Sequence, residues 1–566
     1  MVVNTQQTLI KKIKNIIEKT ILSTPVFLAS ANINISDLSI EIEKNRDLQF
    51  GDFNTNFLMK TGLKFDQIAF FAEILINKIK KKRLFTKIKF AKPGYINFSI
   101  NNNVLAKYLE NAIRAKQKYG KFKPKKLFYN IEYVSANPTG LLHVGHARNA
   151  AFGSALVNVW KAYGIRVNSE FYINDAGAQI DRLARSVLIR YLQLCNQPAR
   201  LPADSYHGTE IVDAARVVLQ QHKKKFANTK YDKNHICNPK VNKIIKEISV
   251  NFMLENIKNT LTSFHVNFNI WTHETDLYKY HLIDEILKRI KPYTYHKDGA
   301  LFFQSTKFKD EKDRVLIKSD GTYTYFLPDI AYHDLKLSRG YDKIFNIWGA
   351  DHAEYVNRIK MSLAALNYNP NVLHVFLQQM VKIVRDGKEI KMSKRTGNSL
   401  TLVQLVKLIG KQAAHWYLVS TSFESTHLEI DIDKVTSKSN DNPFYYVQYA
   451  YARINQLLKN YHLPLKNHVK VDRLTLPIEH ELLLEVASFN QIIELIAQKY
   501  DLQKLPGYLI NLCKTFHTYY SAHKINDGSN NDAVKLSEQR INLARGVMQV
   551  IYNGLKLINI YPSKEM

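Results

Sequence analysis

Two histidines flank a glycine at His143, Gly145 and His146, inside the run ANPTGLLHVGHARNAAFG (136–153). From Ala136 and Asn137 the run turns through Pro138, Thr139 and Gly140. It then passes Leu141, Leu142 and Val144 into a helix predicted to begin near Gly145. A helix N-terminus carries unpaired N–H groups and the positive end of the helix dipole, which suits a phosphate. Gly145 lets a nucleotide approach the backbone, and imidazoles beside it can donate to phosphate oxygens as charge builds. Capping or surface histidines would read the same from these four residues alone. A second segment, VRDGKEIKMSKRTGNSLTL (384–402), sets Lys388, Lys391, Lys394 and Arg395 between Gly387 and Gly397. Glycine-flanked lysines can close over a triphosphate and stabilise transition-state charge. By itself the segment reads first as a solvated basic turn, as most charge runs do.

The elements that would hold these segments alternate. LFYNIEYVSA (127–136) reads as a buried strand, followed by a helix from about Gly145 to Tyr163. FYIND (171–175) is the next strand, with another helix after it. KIFNIWGAD (343–351) is a further buried strand, and VLHVFLQQMVKIV (372–384) adds more. Strands alternating with helices argue for a parallel sheet with crossover helices. The expected fold is α/β, a doubly wound, Rossmann-like sheet with its crevice at the strand C-termini. The Lys- and Asn-rich stretch 200–275 reads as an irregular insertion. Before it, residues 1–118 read as a small α/β unit with helices at Leu9–Leu22 and from Phe65 to Lys82. A strand follows at KIKFAKPGYINFSI, turning at Pro93-Gly94. The basic stretch YGKFKPKK (119–126) marks the boundary to a unit spanning 119–400. Beyond 400 the periodicity is helical almost throughout. A connecting region (401–438) leads to an all-helical bundle over 439–566, and no internal repeat is evident.

A chain of 566 residues is too long for one core, so several domains are expected. With 80 Lys+Arg against 50 Asp+Glu the formal net charge is +30, which suits a polyanionic partner. A compositional lysine bias coating any surface would give the same excess. Cys195, Cys237 and Cys513 are far apart, with neither zinc-site spacing nor a disulfide framework, so a reducing, cytoplasmic setting fits. The opening stretch MVVNTQQTLIKKIKNIIEKTI lacks the apolar run and cleavage site of a signal peptide. No stretch elsewhere is apolar for long enough to cross a membrane.

Together, HVGH and the complete KMSK at Lys391, Met392, Ser393 and Lys394 resemble the two signatures of class I aminoacyl-tRNA synthetases. In that class the first reads His-Ile-Gly-His; here Val144 replaces the Ile. The resemblance narrows to the arginyl-tRNA synthetases and covers nearly the whole chain. It rests on EYVSANPTGLLHVGHAR (132–148), FYINDAGAQI (171–180), DRVLIKSDGTYTYFLPDIAYH (313–333), NIWGADHAEYVNRIK (346–360), KMSKRTGN (391–398) and SNDNPFYYVQYAYARI (439–454). QFGDFNTN and KPGYINF look like that family's additional, tRNA-binding N-terminal domain. The helical C-terminal region looks like its anticodon-binding bundle, and 401–438 like its stem-contact region.

The resemblance implies arginine activation by ATP and transfer to the 3′-terminal adenosine of tRNA. It implies no covalent enzyme intermediate and no structural metal, with Mg²⁺ arriving on the ATP phosphates. A monomer that needs bound tRNA to form the adenylate is expected. His143, His146, Lys391 and Lys394 would stabilise charge. Gly349 and Asp351, with His352 nearby, would receive the ATP ribose, although Asp351 also reads as a turn carboxylate. A guanidinium is planar, always charged and best held by carboxylates. The resemblance gives that task to Glu132, Asp329 and Tyr325, and the α-amino group to Ser135 and Asn137. From residues alone, Glu132 is equally a strand-end surface carboxylate. Asp329 reads either as a sheet-edge residue facing the cleft or as the N-cap of a helix over IAYHDLKL. Asp175 and Gln179 end another strand within possible reach of substrate.

The chain departs from the family at Gln412-Ala413-Ala414-His415 and Ser420-Thr421, where the family often carries Asp-Ala-Ala-Arg and Ser-Arg. Two cationic contacts are weakened or lost there, which puts in doubt any carry-over at His415 and Thr421. Two other functions remain: another nucleotidyl transferase with an HxGH loop, or a catalytically inactive paralogue that only binds tRNA. The first needs neither KMSK nor the helical C-terminal region. The second does not require intact signatures, and here both are intact.

Overall fold

The computed structural model describes residues 7–233, 235–390 and 400–565. The second signature, Lys391–Lys394, with Arg395 and Gly397, lies outside them. The chain divides into two compact units: residues 124–438 with 558–560, and residues 1–123 with 439–557 and 561–566.

The first of these carries a five-stranded, wholly parallel sheet. In spatial order its strands are Leu373–Gln378, Lys343–Gly349, Phe128–Glu132, Arg166–Ile173 and Ile270–His273. The first strand in sequence lies at the centre. The chain winds outward to one side and then returns to the other, which is the doubly wound order. Tyr129, Ile131 and Phe345 are buried, as expected of strands covered on both faces. The signature helix, Val144–Ala162, packs closely on Tyr133. A Cβ at Gly153 would come within 2.4 Å of that ring.

Two expectations for this unit need correction. The stretch 200–275 is largely helical, with helices Thr209–His222 and Pro239–Ser263 packed into one core with Leu188 and Tyr191. Lysines and asparagines hid a plain pattern. Val241, Ile245, Ser249, Met253, Ile257 and Leu261 recur every four residues, and all are buried. VLHVFLQQMVKIV is two strands in two sheets. Leu373–Gln378 joins the parallel sheet, whereas Val381–Arg385 pairs with Lys388–Glu389 and Leu428–Asp431. The last of these strands interrupts the helical region expected beyond 400.

In the other unit, a four-stranded antiparallel sheet (Glu43–Lys44, Phe53–Thr55, Phe85–Ala91, Tyr95–Ile100) carries helices Leu9–Leu22, Phe65–Ile79 and Asn102–Ala115. Helices Pro443–Lys459, Pro477–Lys499, Lys504–Ala522 and Asn531–Leu557 form the bundle. The two parts share polar contacts. Asp52 bonds His480 at 2.8 Å, and Lys44 pairs with Glu485 at 2.5 Å. Cys195, Cys237 and Cys513 are all free thiols. Among the described residues no helix is long and apolar enough to cross a membrane.

Candidate active site

In the doubly wound sheet the strand order reverses between Phe128–Glu132 and Lys343–Gly349. A cleft of about 810 Å³ opens at the C-terminal ends of these two strands. Glu132, Ser135, Asn137, His143, Gly145, His146, Tyr325, Asp329, Gly349 and Asp351, all expected site residues, line it. Ala136, Pro138, Thr139, Gly140, Leu141, Leu142 and the buried Val144 do not. The first six build the turn that delivers the helix, with Ala136 and Leu142 buried and Leu141 43% exposed. A second hollow of equal volume, between Lys225 and Val241, is lined by lysines, asparagines and Cys237 and lies within the helical insertion.

The two histidines cap the helix and also face the cleft. Nδ1 of His143 accepts from the Gly145 N–H at 3.1 Å, and Nδ1 of His146 accepts from the His143 N–H at 3.2 Å. Two accepting Nδ1 atoms leave the proton of each neutral ring on Nε2. The rings stack with centroids 3.7 Å apart. Burial lowers both pKa values, and His143 depresses that of His146 further, to about 3. The pair is therefore neutral at physiological pH, with two pre-oriented Nε2–H donors. Gly145 is needed for this fold-back, because a Cβ there would sit 2.9 Å from Cε1 of His143.

The chain between strand and helix is strained. Val134 and Ser135 have φ of 69° and 37°, a left-handed conformation costly for a β-branched residue. Asn149, on the signature helix, accepts from the Val134 N–H at 2.8 Å and holds the kink. The kink directs the Ser135 hydroxyl, which donates to Oε1 of Glu132 at 2.9 Å and accepts from the Tyr172 N–H at 3.1 Å. Asn137 donates to Gln179 at 2.8 Å, so Gln179 reaches the cleft rim through Asn137. Asp175 does not line the cleft. It bonds His273 at 2.7 Å and the Thr275 N–H at 3.0 Å, tying two strand ends together.

The two carboxylates assigned to the guanidinium differ in state. Glu132 ends the central strand and is buried, not at the surface. Its Oε2 is ion-paired with Lys336, whose side chain is wholly buried. Asp329 has no lysine or arginine within ion-pair distance among the described residues; its Oδ2 accepts from the Tyr355 hydroxyl at 2.6 Å. Burial, with Glu132 and Glu274 adding to it, raises the Asp329 pKa to about 7. Glu274 is also raised, by burial first. Two carboxylates thus line the cleft, Glu132 paired with buried Lys336 and Asp329 without a cation at ion-pair distance among the described residues, which leaves Asp329 open to a cationic side chain. Asp329 is neither at a sheet edge nor an N-cap. It lies one turn inside the helix Phe326–Ser338, whose N-cap is Tyr325. The helix starts early because Pro328 falls in its first turn, where proline is tolerated. Tyr325 is 73% exposed at the cleft mouth.

Asp351 follows the strand end at Gly349, is exposed, and lies 3.6 Å from His352. His415, one of the departures, is buried against the Phe264 ring and bonds its carbonyl at 2.7 Å. Thr421, the other, accepts from buried Arg148 at 3.3 Å. Arg148 also donates to the carbonyls of Gln379, Ser422 and Thr426. Both departures therefore have internal partners. Tyr355, Asn149 and Gln378, which also line the cleft, and Lys336 and Glu274, which adjoin its carboxylates, were not singled out from the sequence. For Lys336 the signal existed: Asp329, His333 and Lys336 recur at helical spacing, so one helix face turns all three toward the strand ends.

Three family models match the chain: "Arginyl tRNA synthetase N terminal domain" over residues 7–100, "tRNA synthetases class I (R), catalytic domain" over 108–417, and "DALR anticodon binding domain" over 447–566. The arginine–tRNA ligase of Malacoplasma penetrans is 42% identical over 98% of both chains. That of Ureaplasma parvum is 43% identical over 95% of this chain and 98% of its own. The Thermus thermophilus arginyl-tRNA synthetase structure shares the fold, with a TM-score of 0.73 at 18% identity, over 99% of this chain and 100% of that one. The cleft geometry, the strand order and these matches agree, and the chain belongs to the arginyl-tRNA synthetase family of class I aminoacyl-tRNA synthetases.

Proposed function

We propose that the cleft holds arginine and Mg-ATP side by side, with the guanidinium on Asp329 and Tyr325. The chain's activity is that of an arginine–tRNA ligase. Arginine's carboxylate attacks the α-phosphorus of ATP, diphosphate leaves, and a ribose hydroxyl of the tRNA's terminal adenosine then takes the arginyl group. The observation that carries the site reading is the pairing of two neutral histidines at a helix N-terminus with a half-buried carboxylate, Asp329, that has no cation at ion-pair distance among the described residues of the same cleft.

In this reading His143 and His146 donate to phosphate oxygens as charge builds, Asp351 and Gly349 receive the ribose, and Lys391 and Lys394 neutralise the triphosphate. Ser135 and Asn137 hold the α-amino group. Glu132 stands with Ser135 at that end, because its charge is already balanced by Lys336. The 2′-hydroxyl is the acceptor, and bound tRNA is required for adenylate formation. The N-terminal sheet domain (1–118), the region 401–438 and the bundle (439–566) bind the tRNA. The enzyme works as a cytoplasmic monomer; sedimentation of the purified protein tests the monomer.

Arginine-dependent ATP–pyrophosphate exchange, with and without tRNA, tests the whole reading. Exchange with arginine and tRNA, and none with lysine, is expected. tRNA binding without exchange would favour an inactive paralogue instead.

A further inference from the structure

Lys336 is fully buried behind the cleft wall, packed against the lining residues Glu132, Tyr332 and Asn346. It makes an ion pair with Glu132, donates to Oδ1 of Asn346 at 2.9 Å, and lies 4.3 Å from the centre of the Tyr332 ring. Asn346 is itself fixed. Its amide bonds Nε2 of His333 at 2.8 Å, and Nδ1 of His333 bonds the carbonyl of Asp329 at 2.8 Å. A closed run of hydrogen bonds thus joins Glu132 to the backbone of Asp329 through Lys336, Asn346 and His333. On the other side of Glu132 the Ser135 hydroxyl completes its partners.

Desolvating an ammonium is costly, and a buried pair is retained only when something other than stability favours it or its geometry is excellent. Here the pair borders an open cleft that must accept a cationic side chain. Without Lys336, Glu132 and Asp329 would face one another as like charges, and one of them would take up a proton. A protonated Asp329 offers a guanidinium one acceptor fewer and no charge.

We propose, building on the arginine site described above, that Lys336 is a positioning and specificity-determining residue. Its ammonium holds Glu132 against Ser135 and cancels its charge, leaving Asp329 as the carboxylate open to the guanidinium. Lys336 does not touch the reacting atoms; it acts through Glu132. The groups facing Asp329 are Glu132 from the central strand, Tyr172 from the neighbouring strand, Glu274 from the helix after the edge strand, and Tyr355 from the helix Ala353–Ala365. On its own helix Tyr332, His333 and Lys336 stand nearby, and Arg358 approaches through Tyr355. Lys336 is the cation among them that lowers the Asp329 pKa.

The test is the pH dependence of kcat/KM for arginine in ATP–pyrophosphate exchange on the full-length enzyme with tRNA. Lys336→Met should raise KM for arginine by about tenfold or more at pH 7 and leave KM for ATP within about twofold. It should also move the acid limb of the profile up by about one pH unit. Adding Glu132→Gln removes the opposite charge, so the limb of the double variant should return to the parent position. An acid limb unmoved in Lys336→Met overturns the proposal. So does a limb that stays shifted in the double variant, or equal rises in both KM values. Asp329→Asn in the parent separates the underlying reading: no change in KM for arginine there removes the arginine site itself, whatever Lys336 does.

Discussion

The backbone N–H of Val144 donates to the carbonyl of Leu400 at 2.9 Å, and the N–H of Leu402 returns the bond to Leu142 at 2.7 Å. His143 and Thr401 are therefore partners in an antiparallel bridge. Leu400 is the first described residue after the second signature. The bridge anchors the segment that begins at Leu400 to the backbone of the first signature, beside the cleft-lining His143. Two segments far apart in sequence are brought together by four backbone atoms, with Thr401 also capping the next helix through its bond from the Gln404 N–H.

Lys394 itself lies outside the described residues, and its proposed role is in the adenylation transition state. Lys394→Ala should lower kcat for pyrophosphate exchange by about a hundredfold or more, the scale of one lost electrostatic stabiliser. Steady-state exchange at saturating ATP and arginine measures it. A normal kcat with only a raised KM for ATP would count against this role.

His146 lines the cleft while its Nδ1 caps the helix, which leaves the ring proton on Nε2. His146→Ala should lose about a hundredfold in kcat, and His146→Gln, which places an amide donor near the Nε2 position, should retain more. Because the folded His146 pKa is about 3, the ring stays neutral across pH 6–8. No activity limb from this histidine is expected there, and a His146-dependent limb near pH 6.5 would show that the imidazolium forms.

Asp329 has a pKa of about 7 in the ligand-free fold. Only its ionised form draws a guanidinium, so KM for arginine should climb as pH falls below 7 and level off above it. Asp329→Asn should raise KM for arginine by roughly two to nearly four orders of magnitude, from the roughly 3–5 kcal/mol of a lost charged partner, with KM for ATP nearly unchanged. Stability should move the other way. A carboxyl whose pKa is raised on folding favours the fold below its unfolded value, and that advantage is lost as pH rises through 7. Asp329→Asn should therefore melt higher than the parent at pH 8, by calorimetry, and not at pH 4.

The charge excess of +30 should appear as steep salt dependence of tRNA binding, since phosphate contacts release counterions. Filter-binding or fluorescence titrations between 50 and 200 mM salt, about the range over which such contacts weaken strongly, measure it. Flat affinity over that range would assign the lysines to compositional bias.

The sequence by itself determined most of the local elements and nominated the candidate site residues. Alternation of buried strands and helices specified the parallel sheet, because crossovers cover both faces. Spacing placed His143 and His146 on a helix start, because that position alone offers free N–H groups to a phosphate. It also supplied the carboxylates, and it left Asp329 between a cap and a sheet edge. The charge state of each carboxylate was decided only by tertiary structure. Glu132 and Lys336 are ion-paired across 204 positions of sequence, and a pKa responds to neighbours within a few ångströms whatever their distance along the chain. The lysine-rich insertion misled for a related reason: composition records what a helix shows to water, while its buried face is read from spacing. The protonation of the histidines was likewise set by burial and by backbone donors that exist only once the helix has formed.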